Sequence, residues 1–273
     1  MNLRKLLRVY QWPKNILVFA GILFVLPESL VRIPDALWLF AAFCAASSFV
    51  YIVNDLADRK HDARHPTKRH RPIASGAIST PRAILIALLL LAIAATSIFL
   101  STIAAIVIGV YIAFNIAYSA GLKHAPFVDL LILASGYVLR VIAGTEGLGI
   151  PLSEWMFIVT FFGALMIGTG KRYAEARDHG SRPSTKELSL ETLKAMVLSS
   201  ATLTIGTYAI YAQAHPSPIM LLTIIPVFTG VFGFYALLQN GGEDPSRDLF
   251  RSKAVILSGV IYGALVVLAQ IPL

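Results

Sequence analysis

Charge is scarce in this chain of 273 residues: 14% are Asp, Glu, Lys or Arg, 56% are hydrophobic, and mean hydropathy is +0.72. A soluble domain carries about 25% charged residues, and one of this size needs far more polar surface than these side chains supply. Soluble, disordered and fibrous classes are excluded, and an integral membrane protein remains. Cysteine is almost absent. Cys44 stands alone in an apolar run, which rules out an intrachain disulfide and any Cys-based metal cluster. No polar stretch is long enough to fold as a separate domain. Acids are also few, 15 against 23 Lys and Arg, giving a net charge of +8. Whether that excess points to nucleic acid depends on where it lies.

A helix crossing the ~30 Å hydrocarbon core needs about 20 mostly apolar residues. Such runs lie near Gln11–Leu26, Ala36–Ile52, Ala83–Leu100, Ile103–Ser119, Pro126–Gly144, Trp155–Gly170, Leu193–Gln213, Pro218–Leu238 and Ala254–Ile271. Ala83–Ser119 is nearly continuous and too long for one crossing, so it is split into a hairpin at Ser101–Thr102. With this division, all of the 23 Lys and Arg residues except Arg32 and Arg140 fall on one side of the membrane. The basic side is cytoplasmic. The expectation is an all-α polytopic protein of the plasma membrane with nine transmembrane helices around a central cavity. Residues 1–273 form one domain, the N-terminus is cytoplasmic, and the positive charge reflects sidedness rather than nucleic acid. Met1–Leu26 has a basic start and an apolar run but no small-x-small cleavage site, so it reads as a retained anchor.

The polar residues on the basic side are not uniform. Asn54, Asp58 and Asp62 fall at steps of four, one stripe on a helix face. Stacked carboxylates repel unless a cation lies between them, and hard oxygens on one face suit Mg²⁺ held together with substrate phosphates. The alternative is a solvated helix end whose acids pair with Arg59, Lys60 and Arg64. The next loop carries Lys68, Arg69 and Arg71 between Pro66 and Pro72. It fits a polyphosphate beside the metal; a contact with anionic lipid headgroups explains the basic charges but not the acidic stripe beside them. After the sixth run, Lys171, Glu175 and Asp178 share a helix face. Glu175 or Asp178 could add a metal ligand and Lys171 a phosphate contact, or they form ordinary helix-end ion pairs. Lys14 and Asn15 sit at the mouth of the first run, where snorkelling is the plainer reading. Tyr118 and Lys123 flank a loop and carry little signal alone. Arg140 lies inside the fifth run, where an intramembrane Arg is costly. It either pairs with Glu146 or meets an anionic substrate.

Asn54-Asp55-x-x-Asp58-x-x-x-Asp62, with the following His-Pro-Thr-Lys-Arg-His-Arg-Pro-Ile-Ala-Ser-Gly loop, resembles the first motif of the UbiA intramembrane prenyltransferase superfamily. The resemblance covers nearly the whole chain, since that superfamily also has nine helices and a second polar motif after the sixth. Three segments resemble its branch that transfers phosphoribose to a polyprenyl phosphate: Gln11-Trp-Pro-Lys14-Asn15, Arg140-Val-Ile-Ala-Gly144 and Gly170-Lys171-Arg172-Tyr173-Ala-Glu175. Aromatic-acceptor members carry a second Asp-x-x-x-Asp; here the place reads Lys171-x-x-x-Glu175, which favours phosphate over a second metal cluster.

The resemblance implies Mg²⁺-dependent joining of phosphoribosyl diphosphate to a polyprenyl (decaprenyl-like) phosphate with release of diphosphate, a pentosyl transfer feeding cell-wall arabinan. Asn54, Asp55, Asp58 and Asp62 form the implied catalytic group, with Asn54, Asp58, Asp62 and Glu175 toward Mg²⁺. Lys14, Asn15, Lys68, Arg69, Arg71, Tyr118, Lys123, Arg140, Lys171, Arg172 and Tyr173 lie toward substrate. Two rivals stand beside it: transfer of an isoprenoid diphosphate to an aromatic acceptor, and an organic-anion transporter. A transporter would place its charges near mid-membrane between broken helices, whereas these acids cluster at the edge. Lipid chain length stays open, and a homo-oligomer fits as well as a monomer.

Overall fold

In the computed structural model, which describes residues 2–26, 28–122, 125, 127–179, 188–240 and 252–271, there is no strand among the described residues. The helices are α1 (Asn2–Leu6), α2 (Ala20–Phe24), α3 (Ile33–Ala57), α4 (Arg59–Asp62), α5 (Thr80–Ala95) and α6 (Thr102–Ala120). They continue with α7 (Val128–Gly144), α8 (Glu154–His179), α9 (Leu190–Ala214), α10 (Ile219–Leu222), α11 (Ile224–Asn240) and α12 (Lys253–Ala269). Their ends follow local chemistry. Pro34 and Pro81 open α3 and α5, where a missing N–H costs nothing. The hydroxyls of Ser101 and Ser189 cap α6 and α9 by accepting from Ala104 N and Thr192 N, each at 3.0 Å. Ser101 is extended and breaks the long apolar stretch at the expected hairpin.

Six described segments are long and apolar enough to cross a bilayer: Glu28–Ala57, Thr80–Phe99, Thr102–Ala120, Val128–Leu148, Leu190–Ala214 and Ile219–Asn240. They define an integral membrane protein. Three of the nine expected spans are not among these six. The sixth lies within α8, whose last turns carry Lys171, Arg172, Glu175 and Arg177, and the ninth is the 17-residue α12. The first departs most: Val9–Phe19 is a 3₁₀ segment with Pro13 inside it, followed by the single turn of α2. Proline removes a helical donor and clashes with the preceding turn, which favours the tighter winding here.

Outward faces are apolar, with Leu85, Leu88, Leu89, Ile106, Ile225 and Val260 exposed as a lipid-facing coat. Inside, Val18, Leu39, Phe43, Val107 and Ala143 join the 3₁₀ segment to α3, α6 and α7. Met166, Val197, Phe234 and Leu238 join α8, α9 and α11. At the end carrying the acidic motif, Leu6, Ile52, Ile73 and Ala83 dock the N-terminal helix and the basic loop onto α3 and α5. One close approach sets the register of the site. A Cβ on Gly144 would lie 1.9 Å from the Val18 carbonyl oxygen, and one on Gly21 would lie 2.6 Å from the Gly144 oxygen. Only glycine lets the 3₁₀ segment and α7 meet backbone to backbone, and that contact brings Asn15 to Arg140.

Candidate active site

The acidic stripe exists, across a slight break. Although α3 ends at Ala57, Asp58 N donates to Asn54 O at 2.9 Å and Asp62 N to Asp58 O at 2.8 Å, so helical hydrogen bonding continues through the motif. Asp55 and Asp62 are buried, while Asn54 and Asp58 are half-buried. The partners of the buried acids are not the adjacent Arg59, Lys60 and Arg64. Arg71 Nη1 bridges Asp55 Oδ1 at 3.0 Å and Asp62 Oδ2 at 2.7 Å, and Arg8 Nη2 reaches Asp55 Oδ1 at 2.6 Å. Arg59 instead donates to Thr80 Oγ1 at 2.8 Å. Burial works against the charge on Arg8, but Asp55 and Tyr51 outweigh it and hold the guanidinium above the ordinary arginine range. Asp55 is thus committed to two arginines, which separates it from the other three motif residues.

Asp62 retains one buried oxygen, Oδ1, with no hydrogen-bond partner among the described residues. A buried carboxylate oxygen without a donor is costly, and a cation is one way to satisfy it. Asn54 Oδ1 accepts from Ser119 Oγ at 3.0 Å and has a second lone pair. No group of three or more His, Cys, Asp or Glu close enough to hold a metal occurs among the described residues. Mg²⁺ does not require such a group, since it usually takes one or two carboxylates and completes its shell with water and substrate phosphate. The hard-oxygen set Asn54, Asp58 and Asp62 fits the ion.

Beside the motif lies a polar cavity of about 90 Å³ among α3, α6, α7, α8 and the 3₁₀ segment. Lys14, Arg140 and Lys171 line it together with Tyr51, Tyr111, Asn115 and Tyr137. The expected cations Lys14, Arg140 and Lys171, distant in sequence, therefore face one space. Arg140 is not paired with Glu146, whose Oε1 accepts from Leu152 N at 2.7 Å. Its Nε donates to Asn15 Oδ1 at 2.6 Å, and Asn15 Nδ2 reaches Cys44 Sγ at 3.2 Å and Ser47 Oγ at 3.3 Å.

Several expected substrate contacts are spent inside the protein. Arg172 is fully buried: Nε donates to Asp129 Oδ2 at 2.8 Å, Nη1 to Glu175 Oε2 at 2.7 Å, and Nη2 to the Tyr118 hydroxyl at 3.3 Å. This network ties α8 to α6 and α7, and it draws Glu175 to Arg172. Tyr173 packs on the α8–α9–α11 core and stacks with Arg177, 5.9 Å from its ring, because it points to the opposite side of α8 from the cavity. In the basic loop Arg71 reaches the acids; Arg69 is exposed and donates to His70 Nε2 at 3.4 Å, and Lys68 is half-buried. Lys123 and the side chain of Asp178 lie outside the described residues. Sequence reasoning passed over Arg8, Tyr51, Tyr111, Asn115, Ser119, Asp129 and Tyr137. A polar signal was present for some: Tyr111, Asn115 and Ser119 recur at steps of four in an otherwise apolar helix, and Asp129 is an acid within an apolar run.

A second chamber, apolar and about 680 Å³, lies toward the opposite end of the bundle. Ile16, Leu17, Phe24, Val141, Trp155 and Tyr262 are among its walls.

An all-helical bundle of apolar spans with an acidic stripe at one end and a cation-lined cavity beside it defines the class. A profile of the UbiA prenyltransferase family matches residues 15–256, and the chain belongs to that family. It is 35% identical to the decaprenyl-phosphate phosphoribosyltransferase of Mycobacterium tuberculosis, across 96% of this chain and 92% of that one. The enzymes of that name from Corynebacterium glutamicum (34%; 92% of this chain, 81% of that) and Mycolicibacterium smegmatis (37%; 82% and 74%) are similar. Among solved structures, a UbiA homologue from Archaeoglobus fulgidus bound to DMAPP and Mg²⁺ superposes with a TM-score of 0.75 at 18% identity, covering 98% of this chain and 99% of that one. At that identity the likeness establishes the fold.

Proposed function

We propose that the chain transfers the 5-phosphoribosyl group of phosphoribosyl diphosphate to a polyprenyl phosphate and releases diphosphate. The observation that carries this reading is the set of three cations, Lys14, Arg140 and Lys171, lining one cavity beside a single acidic motif. Where a second metal-binding acid pair would stand, Lys171 faces the cavity and Glu175 is held by Arg172. A site with one acidic pole and several cations matches a reaction in which both substrates carry phosphate. The relatives named decaprenyl-phosphate phosphoribosyltransferase support it over most of their length.

Asn54, Asp58 and Asp62 are the residues that would hold Mg²⁺; bound there, the ion neutralises the departing diphosphate. Lys14 and Lys171 orient phosphate oxygens, and fixing both substrates in one space supplies much of the rate. An oxygen of the lipid phosphate forms the new bond to the ribose anomeric carbon as the bond to diphosphate breaks with its electron pair. The attacking oxygen is already anionic, so no proton needs removing. The described residues that line the cavity include no His, Asp or Glu.

The same reading makes residues 1–273 a single nine-span domain with its N-terminus and acidic motif on the cytoplasmic side of the plasma membrane. It is supported by the concentration of Lys and Arg in the loops at the motif end. The deciding assay uses membranes containing the protein, phosphoribosyl diphosphate labelled in the ribose, and polyprenyl phosphate. Label enters the lipid fraction and requires Mg²⁺. Labelled isoprenoid diphosphate passing to an aromatic acceptor, with no ribose transfer, would overturn the assignment.

A further inference from the structure

Of the residues that would hold Mg²⁺, Asn54 is the one whose direction its own chemistry leaves open. A carboxylate offers two equivalent oxygens, whereas an amide offers one oxygen and, turned over, two N–H donors that repel a cation. Rotation of an Asn amide is a broad, weakly restrained torsion. Among the described residues one side chain bonds this amide: Ser119 Oγ, on α6, donates to Asn54 Oδ1, on α3, at 3.0 Å. Hydrogen bonds to an amide oxygen lie near the amide plane, along its lone pairs. A donor on one lone pair therefore fixes where the other points. The same hydroxyl lies 3.0 Å from Asn115 O in its own helix. Its single proton has two acceptors, so it can follow Oδ1 or fall back on Asn115 O without being left unsatisfied.

Ser119 stands on the last turn of α6, where helices fray, and Ala120 beyond it is exposed. Its neighbour Tyr118 pins that turn, because the Tyr118 hydroxyl accepts from Arg172 Nη2 at 3.3 Å. Arg172 is fully buried, as is Asp129, whose Oδ2 accepts from Arg172 Nε at 2.8 Å. A buried ion pair adds little net stability over apolar packing, but its geometry is strict. It makes a fixed post between α7 and α8. Hydrogen bonds thus run from Asp129 through Arg172 to Tyr118 and, one residue on, from Ser119 to Asn54. The path joins the polar end of α8 to the acidic motif on α3. We propose that Ser119 is a positioning residue that aims the Asn54 oxygen at Mg²⁺, and that the Arg172–Tyr118 contact holds Ser119 in place to do so. This rests on the reading of Asn54, Asp58 and Asp62 as the Mg²⁺ residues.

Mn²⁺ binding, followed by electron paramagnetic resonance on the whole chain in nanodiscs and reversed with Mg²⁺, reads the site without turnover. Ser119→Ala should weaken Mn²⁺ binding roughly 10- to 100-fold. Its thermal unfolding should stay close to the parent's, because one half-buried hydroxyl is lost. Ser119→Thr, which keeps the hydroxyl, should restore most of the affinity. Tyr118→Phe should lower it by less than Ser119→Ala; an unchanged affinity there would overturn the role given to Arg172. In an Asn54→Ala protein, with no amide left to aim, Ser119→Ala should add nothing. Equal losses from Ser119→Ala in both backgrounds overturn the proposal. So does a Ser119→Ala protein with parental affinity when Asp62→Asn has lost it, and that result leaves the Mg²⁺ reading standing. Mn²⁺ binding that survives Asp62→Asn and Asn54→Ala alike overturns the Mg²⁺ reading and the proposal with it. Should Ser119→Ala not fold, Ser119→Cys, which puts a far weaker donor in the same place, reads the same loss.

Discussion

Asp62→Asn separates a metal ligand from a structural anchor. Asp62 is 1% exposed; one oxygen accepts from Arg71 at 2.7 Å and the other has no hydrogen-bond partner among the described residues. The amide preserves shape and removes the charge. If Asp62 only anchors the basic loop, the cost is one charge-assisted hydrogen bond, about 1.5–3 kcal/mol of stability. Arg71 keeps Asp55 at 3.0 Å, which moves the loss toward the lower figure. If Asp62 holds Mg²⁺, turnover also loses the ion's stabilisation of the leaving group, on the order of 3–4 kcal/mol, or roughly 100- to 1000-fold in kcat/KM. The assay is transfer of labelled phosphoribose to lipid across a Mg²⁺ titration, with thermal unfolding in detergent measured in parallel. The expected result is a near-inactive protein with a higher Mg²⁺ requirement and a modest fall in Tm. Arg71→Gln breaks the same ion pair but spares the carboxylate, so its loss should appear in donor KM with the Mg²⁺ requirement unchanged. An Asp62→Asn protein that keeps activity within about threefold of the parent while its Tm falls would refute the metal assignment.

Lys171→Ala should reduce kcat/KM about 10- to 100-fold with Mg²⁺ dependence kept, and Lys171→Asp should be worse, because it turns a carboxylate toward the phosphates; an active Lys171→Asp protein would remove Lys171 from the site. Asp129→Asn strips one partner from the fully buried Arg172 and should cost roughly 3 kcal/mol, the low end for a broken buried pair because Glu175 remains. The double change Asp129→Leu with Arg172→Leu should be more stable than Asp129→Asn alone; additive losses in a double-mutant cycle would show that the pair is uncoupled. Gly144→Ala places a methyl 1.9 Å from the Val18 oxygen and should destabilise by about 3 kcal/mol through overpacking that backbone cannot relieve. Since it pushes the 3₁₀ segment off α7, a folded Gly144→Ala protein with parental Tm and activity would show that the Asn15–Arg140 register does not depend on this contact.

By itself the sequence determined what repeats or accumulates along the chain. Scarce charge and long apolar runs marked a membrane protein, because burial in hydrocarbon is a matter of composition. The hairpin at Ser101–Thr102 was legible because the apolar stretch Ala83–Ser119 is too long for one crossing, and Asn54, Asp58 and Asp62 fall at steps of four because helical periodicity is local. The winding of the first run was less legible: its composition is apolar, but Pro13 and the close packing on Gly144 set its form. Tertiary structure alone decided which charges meet. Arg71 and Arg8 reach the acids in place of the neighbouring Arg59, Lys60 and Arg64, and Asp129 takes Arg172 out of the site. Asn15 meets Arg140 across 125 residues of chain. A buried ion satisfies itself with whatever partner packing brings within about 3 Å, and that choice depends on helices meeting through glycine and apolar contacts far from the charges themselves.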